Sequence, residues 1–398
     1  MIERHRQSYN ASFDSDRYQS MLAAIENAYP GELDFRVAET PAFIDQRFTQ
    51  QMIDTGSYII DKILEPDFIA RTERAIPDQW RIPGPEGRPT FLAFDFGVCS
   101  NEEGHLQPQL IELQGFPSLF SYQSKLAEWY RLIHPIEDSL SPYLSGLNQP
   151  RYLEMLRNCI IGQHDPENVI LLEILPAQQK TRIDFAITQD LLKIPIVCLT
   201  DIRLHDGKLH YLRDGQLRPI RRIYNRIIFD ELEQQPESIR KQGELLMKDS
   251  TVEWCPHPNW FYRVSKFLLP YLHHPCVPTT YFLNDVKQIP PDLSQYVLKP
   301  LFSFAGQGVI IDPTPEDLQQ IQDPSNWILQ RKVNYAPVIP TPDDPAKLEI
   351  RIFYFWPDDA PKPIPTLNLA RLSKGKMVGT RYNKDRMWVG GSICFFEQ

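Results

Sequence analysis

Residues 90–119 read TFLAFDFGVCSNEEGHLQPQLIELQGFPSL, and no other stretch constrains the fold as tightly. TFLAFDFGV and QPQLIELQGF have the apolar, aromatic and β-branched content of strands, and CSNEEGHL between them is a polar turn containing Gly104. Paired in this way, the strands carry two carboxylates, Asp95 and Glu112, and an amide, Gln114. Taken alone, these are either solvated surface groups or a set of hard oxygen ligands. The segment SYQSKLAEWYRLI that follows reads as a helix.

The hairpin has helices before it and alternating elements after it. RYQSMLAAIENAY and FIDQRFTQQMIDTGSYIIDKIL space their apolar residues at three and four, which predicts helices between residues 15 and 75. From residue 168, NVILLEI, RIDFAITQDLLK and IPIVCLTD read as strand, helix and strand, a βαβ unit on a parallel sheet. DGKLHYLRDGQLRPIRRIYNRIIF contains two D-G turn signals and reads as a hairpin followed by a strand. WFYRVSKFLLPYLHH reads as a helix, QYVLKPLFSFAGQGVII as strand, small-residue loop and strand, and the last quarter as mostly β. The expected class is α+β. The expected division is 1–150 with the N-terminal helices and the hairpin, 151–235 as a Rossmann-like α/β domain, 236–325 around the glycine-rich loop, and 326–398 as a C-terminal subdomain.

A chain of 398 residues with 42% hydrophobic and 23% charged residues can bury two or three cores. A formal net charge of −9 argues against nucleic acid, which requires a basic face. The charged start MIERHRQSYN and the lack of any apolar run of about eighteen residues predict no signal peptide and no membrane span. The six cysteines are scattered without a C-x-x-C pair, which suits reduced thiols and a cytoplasmic location. Thirty-six prolines, about twice the usual ~5%, punctuate loops such as DPTPED and PVIPTPDDPAK.

In VLKPLFSFAGQGVII, Lys299 ends an apolar strand ahead of a loop containing Ser303, Gly306 and Gly308. Small residues let backbone N–H groups approach phosphate oxygens, and a lysine beside them supplies a point charge. G-x-x-x-x-G-K-[ST] is absent, so this is no Walker A loop. Lys266 precedes it in RVSKFLLPYL. WILQRKV follows it, a strand that could present Gln330, Arg331 and Val333 to a purine; the alternative for the lysine segment is an ordinary β-hairpin with a solvated lysine.

With those segments in place, the chain resembles the ATP-grasp ligases. VSK, VLKP…GQGV and ILQRKV are similar to their two ATP lysines, phosphate loop and adenine hinge. EIRIF, LARL and NKDRMWVGG resemble segments of bacterial glutathione synthetase and of the ribosomal-protein glutamate ligases. In those enzymes the metal strand comes next, whereas this chain places the matching FDFGV…PQLIELQGFPSL near its start. That order resembles a circularly permuted ATP-grasp, as in eukaryotic-type glutathione synthetase and glutathionylspermidine synthase. Two departures stand out: Gln114 replaces the usual asparagine, and Ala93 stands where glutathionylspermidine synthase and the D-alanine ligases carry an arginine.

The resemblance implies a permuted ATP-grasp fold with a Rossmann-like (pre-ATP-grasp) domain, and ATP with Mg²⁺ as cofactors. By it, Asp95, Glu112 and Gln114 would be metal ligands; Lys266, Lys299, Ser303, Gly306, Gly308, Gln330, Arg331 and Val333 would contact the nucleotide. Arg351 and Arg371 would be catalytic, and Asn383, Gly390 and Gly391 would hold a substrate. Apart from the resemblance, Asn225 and Arg226 in IYNRIIFDEL are polar groups within an apolar run, which either line the acceptor pocket or fix hydrogen bonds in the interior. The implied activity is amide formation between a small-molecule carboxylate and an amine through an acylphosphate, with no nucleic-acid or membrane partner. A phosphotransferase and a nucleotide-binding module without turnover are the alternatives. The helices between 15 and 75 could cap the protein or build a homodimer interface.

Overall fold

The predicted hairpin forms, and its importance lies in its neighbours. In the computed structural model, which describes residues 1–302, 307–375, 383 and 385–398, the strands Phe91–Ser100 and Leu106–Gln114 join three strands from the far end of the chain. The order across this five-stranded antiparallel sheet is Gly390–Ser392, Ile364–Ser373, Lys347–Phe355, Phe91–Ser100, Leu106–Gln114. Side chains alternate between the two faces. Leu92, Phe94, Phe96, Ile350, Ile352 and Tyr354 pack in one apolar cluster, and Phe91, Ala93, Phe353, Phe355, Leu367 and Leu369 in another, so both faces are covered.

On the second face the character changes along the strands. Residues 91 and 93 are apolar and residue 95 is the aspartate; read in the opposite direction, 355 and 353 are apolar while 351 and 349 are arginine and glutamate. Pairing sets Asp95 opposite both Glu112 and Arg351, and Glu349 opposite Arg371. A charged patch is thereby built at one end of an otherwise apolar face.

The βαβ reading also forms. Val169–Glu173 pairs in parallel with Ile196–Cys198, and the Arg182–Leu192 helix lies between them in sequence. Arg222–Asn225 and Glu253–Cys255 complete a four-stranded parallel sheet, whose last strand in sequence lies past residue 235. The two D-G turns have positive φ at Asp206 and Gly207 and at Asp214 and Gly215, as the tight hairpin type requires. They join three strands, with Ile202–His205 pairing on the first side.

The lysine segment lies in a separate four-stranded antiparallel sheet ordered Thr280–Phe282, Trp327–Arg331, Tyr296–Pro300, Ile310–Ile311. The continuous helix expected over 260–274 is instead a short helix, Asn259–Arg263, and a 3-10 turn, Lys266–Tyr271. Ser265 is extended and its hydroxyl accepts from Phe267 N, while Pro270 lacks the N–H that an α-helix would use. Near the termini, Ala42–Ile44 pairs in parallel with Cys394–Glu397.

Candidate functional site

Five separated stretches converge on the charged end of the five-stranded sheet. Asp95 is 1% exposed, and both its oxygens accept from guanidinium groups. Arg351 donates from Nε at 2.5 Å and Nη2 at 2.7 Å, and Arg371 donates from its own Nη2. Arg351 also reaches Ser118 Oγ at 3.2 Å and Glu112 at 3.4 Å. Burial alone would push the Asp95 carboxyl up; Arg351 and Arg371 outweigh it and hold the group below its ordinary value.

Glu349 was not foreseen from the sequence, although it stands two residues before Arg351 and so on the same face of the strand. It is buried, lies 2.5 Å from Arg371, and accepts from the Tyr335 hydroxyl at 2.7 Å. Gly97 makes room for that tyrosine, since a Cβ there would come within 2.7 Å of its ring. Burial pushes Glu349 up against the pull of Arg371. For Arg371, burial works downward, but Glu349, Asp95 and Glu112 raise it above the ordinary arginine value.

The two lysines face Glu112. The Lys299 ammonium donates to Ile111 O at 3.2 Å, which ties the lysine sheet to the carboxylate strand, and to Gln330 Oε1 at 2.6 Å. Burial lowers Lys299 to about 8 despite the opposing pull of Glu112. Lys266 is buried and also lowered, with Glu112 and then Asp230 working against burial. The Glu112 side chain is 35% exposed, and Gln114 uses its amide nitrogen to reach Phe116 O at 3.2 Å.

Other expected residues have different surroundings. Gln330 is buried and also donates to Thr280 Oγ1 at 3.2 Å, so its amide serves the protein interior, while Arg331 is exposed and Val333 half-buried. Gly308 has φ +74° and abuts Pro300; Ser303 and Gly306 lie outside the described residues. The buried Asn383 amide ties a loop, accepting from Lys374 N at 2.8 Å and Gly375 N at 3.3 Å.

Gly390 and Gly391 approach the chain's own backbone. Gly391 N donates to Arg36 O at 2.9 Å and Gly391 O accepts from Ala38 N at 2.8 Å. A Cβ on Gly390 would lie 2.4 Å from Arg36 O. The Gly391 N–H is therefore engaged by Arg36, where a substrate carboxylate had been expected.

Asn225 closes a local turn on Ile227, with bonds of 3.1 and 3.3 Å. Arg226 is buried over the rings of Phe116 and Phe185 and donates to Ser118 O at 3.1 Å. Ser118 thus links Arg226 to Arg351, a connection with no signal in the residue pattern. Around Arg226, burial raises Glu173 to about 8 and Asp184 to about 6, each opposed by that arginine.

No protein family and no curated protein matches the sequence. Among solved structures the chain is similar to that of a glutathione synthetase-like effector from Globodera pallida in its apo form. The TM-score is 0.58 at 11% identity, over 96% of this chain and 96% of that one. At that identity the likeness shows a glutathione synthetase-like fold and nothing about activity.

Proposed function

We propose that this chain is an ATP- and Mg²⁺-dependent carboxylate–amine ligase of the circularly permuted ATP-grasp type. One observation carries the reading: Lys299, expected at a phosphate, donates to the residue preceding Glu112, expected at the metal, although 188 positions separate the two bonded residues. The permuted order is supported by the antiparallel pairing of Phe91–Ser100 with Lys347–Phe355.

In this reading Lys266 and Lys299 neutralise the polyphosphate, and Arg351 and Arg371 stabilise charge on the transferred phosphoryl group and on the acyl oxygen. A carboxylate attacks the γ-phosphorus to give an acylphosphate and ADP. The amine then displaces phosphate, losing a proton as the amide forms. Arg226, with Glu173 and Asp184, would receive the polar end of the acyl substrate. Glu112 and Gln114 offer hard oxygens that fit Mg²⁺. The metal would supply charge neutralisation at the phosphates. Asp95, whose oxygens are both held by arginines, does not offer a third position in this arrangement.

A second reading, a nucleotide-binding module without turnover, is favoured by Gln114 in place of asparagine and by the engagement of both Asp95 oxygens by arginines. A thermal-shift titration with a non-hydrolysable ATP analogue, with and without Mg²⁺, followed by ADP release over a panel of carboxylates and amines, tests both. At a hundred times its dissociation constant the analogue should stabilise the fold by about 2.7 kcal/mol. Absence of any shift rejects both readings; a shift without ADP release under any pairing rejects the ligase.

A further inference from the structure

Resting on the ligase reading, we infer that Asp95 and Glu349 are positioning residues for Arg351 and Arg371. By this inference Asp95 ligates no divalent cation, and Glu112 and Gln114 are the protein's cation-holding groups.

Coordination requires a lone pair facing open space. Asp95 has none to offer: it is 1% exposed, Oδ1 accepts from Arg351 Nε, and Oδ2 accepts from both Arg351 Nη2 and Arg371 Nη2. Turning it towards a cation would strip the buried Arg351 of its bidentate partner and leave it with Ser118 Oγ and a 3.4 Å contact to Glu112. An uncompensated buried charge of that kind is strongly unfavourable. Among the described residues no cluster of three or more His, Cys, Asp or Glu side chains is arranged to hold a metal ion.

The same bonds fix the arginines. Arg371 shares one nitrogen between Asp95 and Glu349, and Tyr335 fixes the other Glu349 oxygen at 2.7 Å. Two carboxylates on neighbouring strands thus hold one guanidinium by one end. The Arg371 side chain remains 34% exposed, and its Nε has no partner among the described residues. It is the exposed part of the guanidinium, and not the buried Nε, that an incoming anion can meet.

Glu112 is the opposite case, with 35% of its side chain exposed, and Gln114 commits its nitrogen and not its oxygen to Phe116. The two alternate on one strand and so project from one face. Two protein oxygens completed by phosphate oxygens and water are an ordinary Mg²⁺ site, because this ion dehydrates reluctantly.

The test is a thermal-shift titration on the full chain in two dimensions, Mg²⁺ at saturating non-hydrolysable ATP analogue and analogue at saturating Mg²⁺. Glu112→Gln should raise the Mg²⁺ midpoint by about tenfold or more. Asp95→Asn and Glu349→Gln should leave that midpoint within about threefold and raise the analogue midpoint by about tenfold. A purely structural lesion would lower the melting temperature and move neither midpoint.

Should Asp95→Asn fail to fold, Arg351→Lys replaces it. Loosening the grip on Asp95 would lower the Mg²⁺ midpoint if Asp95 were a ligand, and leaves it in place if Asp95 is not. An Asp95→Asn Mg²⁺ midpoint displaced as far as that of Glu112→Gln, or unchanged analogue midpoints in both positioning variants, overturns this inference and leaves the ligase reading standing. A wild-type protein with no nucleotide-linked shift overturns the ligase reading and takes this inference with it.

Discussion

Replacing Glu173 by glutamine should stabilise the protein at neutral pH, although it removes a carboxyl group beside a buried arginine. Glu173 ends the parallel strand Val169–Glu173, is 5% exposed, and accepts from Ile174 N at 2.7 Å. Burial raises its carboxyl from 4.5 to about 8, because neither Arg226 nor the Ile174 N–H compensates for the lost water.

A folded value above the unfolded one means that the folded state binds the extra proton. The associated stability is fully present below 4.5 and is lost progressively as the pH rises through about 8. Each pH unit in that window costs about 1.4 kcal/mol, so the loss by pH 7 reaches about 3 kcal/mol. Glutamine keeps the oxygen that Ile174 N needs and carries no titrating proton, so the variant escapes this cost. Melting temperature measured by circular dichroism from pH 5 to 8 should show Glu173→Gln ahead of wild type by several degrees at pH 7 and nearly level with it at pH 5. A gap independent of pH, or a variant less stable than wild type at pH 7, would refute the burial argument.

Further predictions bear on the site itself. Glu112→Ala, at a half-exposed position, should melt within about 0.5 kcal/mol of wild type yet release no ADP in a coupled assay; unaltered turnover would remove Glu112 from the metal. Gly390→Ala, with φ +125° and a Cβ 2.4 Å from Arg36 O, should destabilise by on the order of 2 kcal/mol or more. Gly391→Ala, whose nearest contact is 3.6 Å, should cost about 1 kcal/mol or less; equal losses in denaturant melts would contradict the geometry. Lys299, lowered to about 8, should make affinity for the ATP analogue fall as pH rises from 7 to 9, with Lys299→Met flat across the range. Its folded value lies below the unfolded 10.5, so the fold gains stability between about 8 and 10.5 as the unfavourable buried charge is released.

The legible parts of the fold were those with a clean period. The 90–116 hairpin, the strand–helix–strand over 168–198 and both D-G turns followed from alternation, helical spacing and turn chemistry. The 260–274 segment was misread because Phe261, Tyr262, Val264, Phe267, Leu268 and Leu269 are all buried. A stretch apolar on every side satisfies a helical period without being one helix. Glu349 escaped notice for a related reason: inside LEIRIF it reads as an ordinary alternating polar position, and only strand register shows Arg371 across from it. The glycine pair was expected to hold a substrate carboxylate, and sequence does not say which stretch of the chain's own backbone the two glycines approach. Here it is Arg36–Ala38.

Charge balance in the cluster bears on the order of binding. Asp95, Glu112, Glu349 and Asp230 face Arg351, Arg371, Lys266 and Lys299, so acids and bases balance among buried or half-buried groups. A free divalent cation meets no net negative charge there; a polyphosphate supplies it and creates the demand for a cation. Mg²⁺ alone should therefore leave the melting temperature unchanged, and Mg²⁺ with the ATP analogue should raise it beyond the analogue alone. Calorimetric binding of Mg²⁺ to the nucleotide-free protein at micromolar concentration would show that the carboxylates outweigh the arginines.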